Sequence, residues 1–510
     1  MLFHAPLFCQ ITAGIAELKP LIILLLAIAF ILMAIIKFRV HAFLALVGAS
    51  LFVAVISAGS IPGMVENIKL VSMKFGQTAG GIGLVIALAA IIGMGLMDSG
   101  GADSIVRRFI RIFGETRAAW ALLISGFILS IPVFFDTVFF LLIPIARMLG
   151  IRTGKNYMLY VLAIGGGGII SHSLVPPTPG PLIMADVLGL DLGMVILVGC
   201  LASIIPLVSV VYIAKRMDKA NPMEVREISD SKTGHSEVKA IQVLPPFWFS
   251  VLPVLLPIVL ITAFSFNDMM EKERIKKEVL ANTAGVNQSG NAGEVTFENM
   301  VREAQANPDN YSALHGVLSI FGEKVIALGI GSIFAIWLLF YTEKLTWKAF
   351  GEKCAPPLEM AGIIILITSA GGSFGAMITN TGIGDFITSV AENFDVSYIL
   401  LAWVITAVIK IAQGSGTVSM ITGIGLMSAV LLSLQAAGKS LPYSPFYIYM
   451  AVGFGSIICS WMNDSAFWIV GKLSGFSEGE TLRTWTILLT LISIIGLLQT
   501  IIFSLVMPLQ

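Results

Sequence analysis

Charge is scarce in this chain. Only 12% of its 510 residues are Asp, Glu, Lys or Arg, against a usual ~25% in soluble domains. The two signs cancel, with 31 acidic and 31 basic residues. No basic tail or stripe stands out, which excludes the electrostatic footprint of nucleic-acid binding. Cysteine is equally thin: Cys9, Cys200, Cys354 and Cys459 lie far apart and form no C-x-x-C or Cys/His pattern. Neither a disulfide framework nor a metal site is indicated. The first 19 residues carry His4, Glu17 and Lys19 but no basic n-region, so they read as an interfacial lead-in rather than a cleaved signal. What abounds is apolar mass, with 56% hydrophobic residues and a mean hydropathy of +0.91. A water-facing surface cannot cover that much hydrocarbon, so the chain is expected to be an all-α polytopic membrane protein.

Apolar runs near the ~20 residues that a bilayer core demands fall at 20–36, 40–58, 82–97, 118–131, 134–149, 156–174 and 193–213. A second set follows at 247–266, 317–341, 360–378, 398–412, 415–436, 445–462 and 485–507. Between the sets, 214–246 is polar and basic, with Lys215, Arg216, Lys219, Arg226, Lys232 and Lys239. The polar stretch 267–315 reads as a solvated helix rich in Glu and Lys, followed by a Gly/Asn-rich coil.

Three collinear matches relate the two sets. Asp98-Ser-Gly-Gly-Ala-Asp103 reads against Asn380-Thr-Gly-Ile-Gly-Asp385, Asp136-Thr-Val against Gly416-Thr-Val, and Gly165-Gly-Gly-Gly-Ile-Ile against Gly453-Phe-Gly-Ser-Ile-Ile. Arg107, Arg108, Arg111 and Arg117 follow the first motif, whereas Asp385, Glu392 and Asp395 follow its counterpart. Lys and Arg in short loops stay cytoplasmic, so the two copies face opposite sides. The expected architecture is therefore two inverted repeats, 1–213 and 247–510, joined by a cytoplasmic linker at 214–246. Each repeat has about five crossings plus a re-entrant hairpin, and both termini lie outside. The hairpins are 118–149, broken at Pro132, and 398–436, broken at Gly414-Ser-Gly416. Lys69 and Lys74 fall on the outer face in this topology, against the charge trend.

Irregular backbone at membrane depth is tolerated only where protein buries it or it lines a wet cavity. Four places qualify: the two hairpin tips, the stretch Ser171-His172-Ser173-Leu-Val-Pro-Pro177-Thr178-Pro-Gly-Pro181, and the stretch Trp461-Met-Asn463-Asp464-Ser. Broken helices that meet near the midplane form a transporter's binding site. The ionisable residues inside apolar runs are Asp136, His172, Lys410 and Asp464, which makes them functional candidates. Asp136 sits among Phe134, Phe135, Phe139 and Phe140, an apolar setting that suits proton exchange, and is the main coupling candidate. Its structural alternative is a cap on the hairpin tip. His172 divides evenly between a coupling role and an ordinary satisfied histidine. Asp464 is a coupling candidate that could instead cap the helix restarting after it. Lys410 is expected to snorkel to the outer interface, with contact to an anionic substrate as the second choice. Thr137, Gln413, Gly414, Ser415, Gly416, Thr417 and Asn463 complete the candidate binding set, since small residues and hydroxyls at a tip expose amides suited to a carboxylate or polyol. Packing is the bland reading of the same glycines and serines.

These segments resemble the gluconate permease family, within the ion transporter superfamily, over nearly the full length. The resemblance is carried by Lys37-Phe-Arg39, Ser99-Gly-Gly101, Ala412-Gln-Gly-Ser415-Gly-Thr417-Val, Val175-Pro-Pro-Thr-Pro-Gly-Pro181 and Asn463-Asp464-Ser-Ala-Phe-Trp468. It implies a bacterial inner-membrane symporter of sugar acids such as gluconate. It also implies a scaffold that dimerises and a mobile domain that moves as an elevator. No cofactor is implied beyond a proton or sodium as coupling ion. The chain departs from the family at Thr178 and Trp461, where histidine is usual, at Asp136, where glutamate is common, and at Lys410, where arginine is usual. With two titratable positions lost, a sodium-coupled carrier of another organic anion or a hydroxy amino acid is the alternative. A channel is disfavoured because no ring of pore-lining charge or filter-like repeat appears. A remote enzyme reading pairs Asp136 with Gly382-Ile-Gly-Asp385, a G-x-G-D motif of intramembrane aspartyl proteases. The repeat places the two acids on different sides, so no enzyme is expected.

Overall fold

The computed structural model describes residues 5–226, 244–283, 292–383, 397–436 and 438–507. Among them there are helices and no strands. The first set comprises α1 (Ala5–Leu32), α2 (Ala42–Ser57), α3 (Ile61–Asp98), α4 (Gly101–Phe113), α5 (Ala118–Leu129), α6 (Phe135–Thr153), α7 (Tyr157–Leu174), α8 (Pro179–Val187) and α9 (Leu192–Ala220). The second comprises α10 (Phe247–Thr283), α11 (Ala292–Ala306), α12 (Ala313–Phe321), α13 (Lys324–Glu343), α14 (Trp347–Thr379), α15 (Tyr398–Gln413), α16 (Gly416–Ala436), α17 (Phe446–Gly455), α18 (Ser465–Ser474) and α19 (Ile487–Val506). Eight helical stretches are long and apolar enough to cross a membrane by length and composition.

The helices break at both expected tips. Pro132, with no N–H to give, ends the turn after α5, and α6 restarts at Phe135. Gly414 stops α15 with φ +90°, a left-handed conformation that suits glycine. A Cβ there would also fall 2.2 Å from the Asn463 carbonyl oxygen. At 1.5 Å per residue, the 12 residues of α5 reach ~18 Å, well short of a ~30 Å hydrocarbon core. Both expected breaks form as well, between α7 and α8 and between α17 and α18.

Packing in the first set recurs in the second. Helix α5 packs on α7 as α15 packs on α17, and α7 on α9 as α17 on α19. Helix α13 lies on α3 as α2 lies on α14. The short helices are exchanged: α8 packs on hairpin arm α16, and α18 on hairpin arm α6. Close crossings depend on missing side chains. A Cβ on Gly167 would sit 2.2 Å from the Leu123 carbonyl oxygen, and Gly375 meets Gly425 backbone to backbone.

Several boundaries differ from the sequence reading. The runs at 82–97 and 360–378 are the apolar parts of the 38-residue α3 and 33-residue α14, whose polar first halves hid their continuity. The run at 317–341 is two helices, because Glu323 caps α13 by accepting from the Val325 and Ile326 amides at 2.7 and 3.1 Å. Gly322 fits there against Phe264. The stretch 267–315 holds helix α11 and the start of α12 beyond the solvated end of α10, whereas coil was expected. The Gly/Asn-rich part at 284–291 lies outside the described residues, as do 227–243 of the linker and Asp385, Glu392 and Asp395.

Candidate functional site

The two hairpin tips and two breaks border one cavity of about 420 Å³. Each contributes the start of a helix. Phe134 to Thr137 open α6, Pro179 opens α8, Ser415 to Val418 open α16, and Asp464 to Ala466 open α18. First-turn amides have no partner within their own helix, and helix dipoles place partial positive charge at this end. Pro179 brings no N–H, so α8 contributes its dipole and the residues after it. Four converging N-termini make the cavity electropositive in its backbone, a setting for an anion.

The side chains add a mixture of held and unheld groups. Asp136 is exposed to the cavity and makes no hydrogen bond or ion pair among the described residues. Across the cavity, Asp464 is buried and tied three ways. Its Oδ2 accepts from Lys410 Nζ at 2.6 Å and from Ser460 Oγ at 2.5 Å, and its Oδ1 accepts from the Ala466 amide at 3.1 Å. Lys410 Nζ also donates to the Gly414 carbonyl. His172 lines the cavity beside Phe134, ring centroids 6.4 Å apart, and its Nδ1 is buried without a partner. Thr137, Ser173, Thr368, Ser415, Thr417, Ser456 and Ser465 supply hydroxyls. Helix α14 supplies a mainly apolar wall through Met360, Ile364, Ile367 and Thr368.

Of the residues singled out in sequence, Asp136, Thr137, His172, Ser173, Ser415, Gly416, Thr417 and Asp464 border the cavity. Six do not. The Thr178 hydroxyl is spent on the His172 and Val175 carbonyls, at 3.0 and 2.9 Å. Asn463 Nδ2 is spent on the Ile411 and Ala412 carbonyls, at 2.8 and 3.1 Å. Gly414 is packed beneath Asn463 and Gln413 is buried. Ser171 is buried with an unpartnered hydroxyl. Pro177 faces away, into an apolar contact with Pro132, Pro176, Pro253 and Pro257. These residues close the frame that holds the cavity.

Lys410 corrects an expectation. It does not snorkel: it is 3% exposed and ion-paired. Its helix ends four residues later at Gly414, so the ammonium meets unpaired helix-end carbonyls and a carboxylate from the second break before it could reach an interface. Thr368 and Ser456 were missed, although Ser456 stands opposite Gly168 in the repeat match. The α14 wall carries no sequence signal, because isolated apolar residues in a span look like packing.

The profile of the family described as GntP family permease matches residues 19–289 and 296–506. The chain belongs to the GntP family of permeases. It is similar to the gluconate permease of Pseudomonas aeruginosa, with 30% identity over 95% of this chain and 97% of that protein. It is also similar to the Gnt-II system L-idonate transporter of Escherichia coli, with 27% identity over 96% and 100%. Among solved structures, the Alcanivorax borkumensis YdaH transporter matches with a TM-score of 0.58 at 15% identity, covering 92% of this chain and 99% of that one. That likeness speaks for the fold alone. This GntP family member is a multi-pass inner-membrane transporter and not an enzyme.

Proposed function

We propose that the protein is a secondary active carrier that imports a small hydroxylated carboxylate, with gluconate and related sugar acids as the substrate class. The observation that carries the reading is the meeting of four helix N-termini around a cavity lined with hydroxyls. The amides and dipoles suit the carboxylate, and the hydroxyls suit a polyol chain. The names of the relatives, a gluconate permease and an L-idonate transporter, point to the same class.

Charge balance argues for cation coupling. Asp464 and Lys410 offset each other, and Asp136 has no counter-charge among the described residues. An anion entering beside an unpaired carboxylate in a low-dielectric site is repelled unless a cation enters with it. We assign Asp136 as the group that takes that cation, a proton in the first reading. Sodium is the second reading, favoured by the absence of histidine at Thr178 and Trp461.

The polar ligands come from hairpins and breaks, while the facing wall from α14 is mainly apolar. A body that carries its ligands past an apolar face suits an elevator. The recurring packing pairs support inverted repeats with boundaries near 1–213 and 247–510. A homodimer of scaffolds belongs to the same proposal. Uptake of labelled sugar acids into proteoliposomes, with pH and sodium gradients imposed separately, tests the reading. Saturable gluconate accumulation driven by one gradient is expected, and transport of none of the acids overturns it.

A further inference from the structure

One chain of hydrogen bonds runs from the core to the cavity through residues that sequence did not single out. Trp485 is fully buried, and its Nε1 donates to Ser460 Oγ at 2.9 Å. An indole N–H can only donate, so the Ser460 hydroxyl accepts there and turns its own proton to Asp464 Oδ2, 2.5 Å away. Lys410 is also only a donor, and it reaches the same Oδ2 at 2.6 Å. The direction of every bond is thereby set: Trp485 to Ser460, Ser460 to Asp464, Lys410 to Asp464. Asp464 is filled with donors, including the Ala466 amide on its other oxygen. Lys410 has three N–H groups, of which two go to Asp464 and the Gly414 carbonyl. The third has no partner among the described residues, and Lys410 borders the cavity.

The local backbone is bent to make this possible. Cys459, just before Ser460, holds φ +48°, a left-handed conformation unusual for a residue with a Cβ. On its other side the Trp485 ring stacks on Phe135 at 5.8 Å, next in sequence to Asp136. Gly165 leaves room for the ring, since a Cβ there would fall 2.5 Å from it.

We propose that Trp485 and Ser460 are positioning residues that, through Asp464, hold the Lys410 ammonium so that its remaining N–H takes the carboxylate of the substrate. The inference rests on the sugar-acid reading above and adds to it which cation anchors the acid and what holds that cation. Asp464 then serves as a fixed counter-charge, and the exchanged cation is left to Asp136.

The test uses calorimetric dissociation constants for gluconate and for its uncharged amide on purified full-length wild type, Ser460→Ala and Trp485→Phe. The phenylalanine keeps an aromatic ring beside Phe135 while removing the N–H together with part of the indole, so Ser460→Ala, which leaves the indole in place, is its control. Each variant should weaken gluconate binding roughly tenfold while leaving the amide near its wild-type value, since one hydrogen bond in a charged network is lost. Equal weakening of acid and amide, or an unchanged preference, overturns the proposal. If Trp485→Phe does not fold, Ser460→Ala decides alone by the same ratio. A wild type that binds neither compound refutes the sugar-acid reading, an outcome distinct from wild-type binding with an unaltered ratio in the variants.

Discussion

The two breaks hold themselves open by different means. Between α7 and α8 the carbonyls left by the broken helix are met by neutral hydroxyls, Thr178 for His172 and Val175 and Tyr449 for Leu174 at 2.9 Å. His172 Nδ1 and Ser171 Oγ remain without partners there. Between α17 and α18 the work falls to a buried ion pair and to indoles. Trp461 Nε1 donates to the Ile411 carbonyl at 2.9 Å, Trp468 Nε1 to the Met462 carbonyl at 2.7 Å, and Trp485 to Ser460. The same contrast separates the hairpin tips, where the first presents an unheld Asp136 and the second a Lys410 held on two sides. The first half thus presents an unheld acid at its tip, and the second presents an ammonium fixed through two of its three N–H groups. The proposal accordingly assigns cation exchange to the unheld side and anchoring to the held side.

Replacing the unheld acid should have the largest effect. Asp136→Asn is expected to abolish gradient-driven accumulation while solute exchange persists in part. Accumulation equal to wild type in proteoliposomes would remove Asp136 from coupling. Next is the held side. Lys410→Met strands a buried carboxylate and should lower stability by about 3–5 kcal/mol in thermal melts. The double variant Lys410→Met, Asp464→Asn should recover much of that loss without recovering transport. A single variant as stable as wild type would show that the pair is not buried. Closing the first break matters less: Thr178→Val removes one donor serving two carbonyls and should cost about 1–3 kcal/mol. No change in melting would mean water replaces the hydroxyl. Smallest is the surface strap, where Arg226 donates to both Glu480 oxygens at 2.6 and 2.7 Å but is largely exposed. Arg226→Ala should shift stability by at most about 1 kcal/mol, and less in high salt.

Much of this frame was legible because it is local. Pro132, the Pro176-Pro177-Thr178-Pro179 run and Gly414 break helices for reasons confined to a few residues, so tips and breaks could be placed from sequence. The cavity's titratable residues were legible because charge in an apolar run is rare. What was not legible is who holds whom. Lys410 and Asp464 are partners across two helices, and an isolated lysine near a span end reads as snorkelling. Trp485 reads as an ordinary span aromatic until the fold places its N–H on Ser460. Thr178, Asn463 and Pro177 were read as ligands because their neighbourhood is irregular, yet their polar atoms or rings are used up in maintaining that irregularity.

In the proposed carrier, an anion sits where the starts of α6 and α16, one from each half, face each other. Single cysteines at Thr137 and Thr417, in a chain whose native cysteines are replaced, allow that placement to be measured by thiol labelling read as peptide mass. Gluconate is expected to slow labelling at both positions. Protection at only one position, or at neither while gluconate is still transported, would contradict that placement.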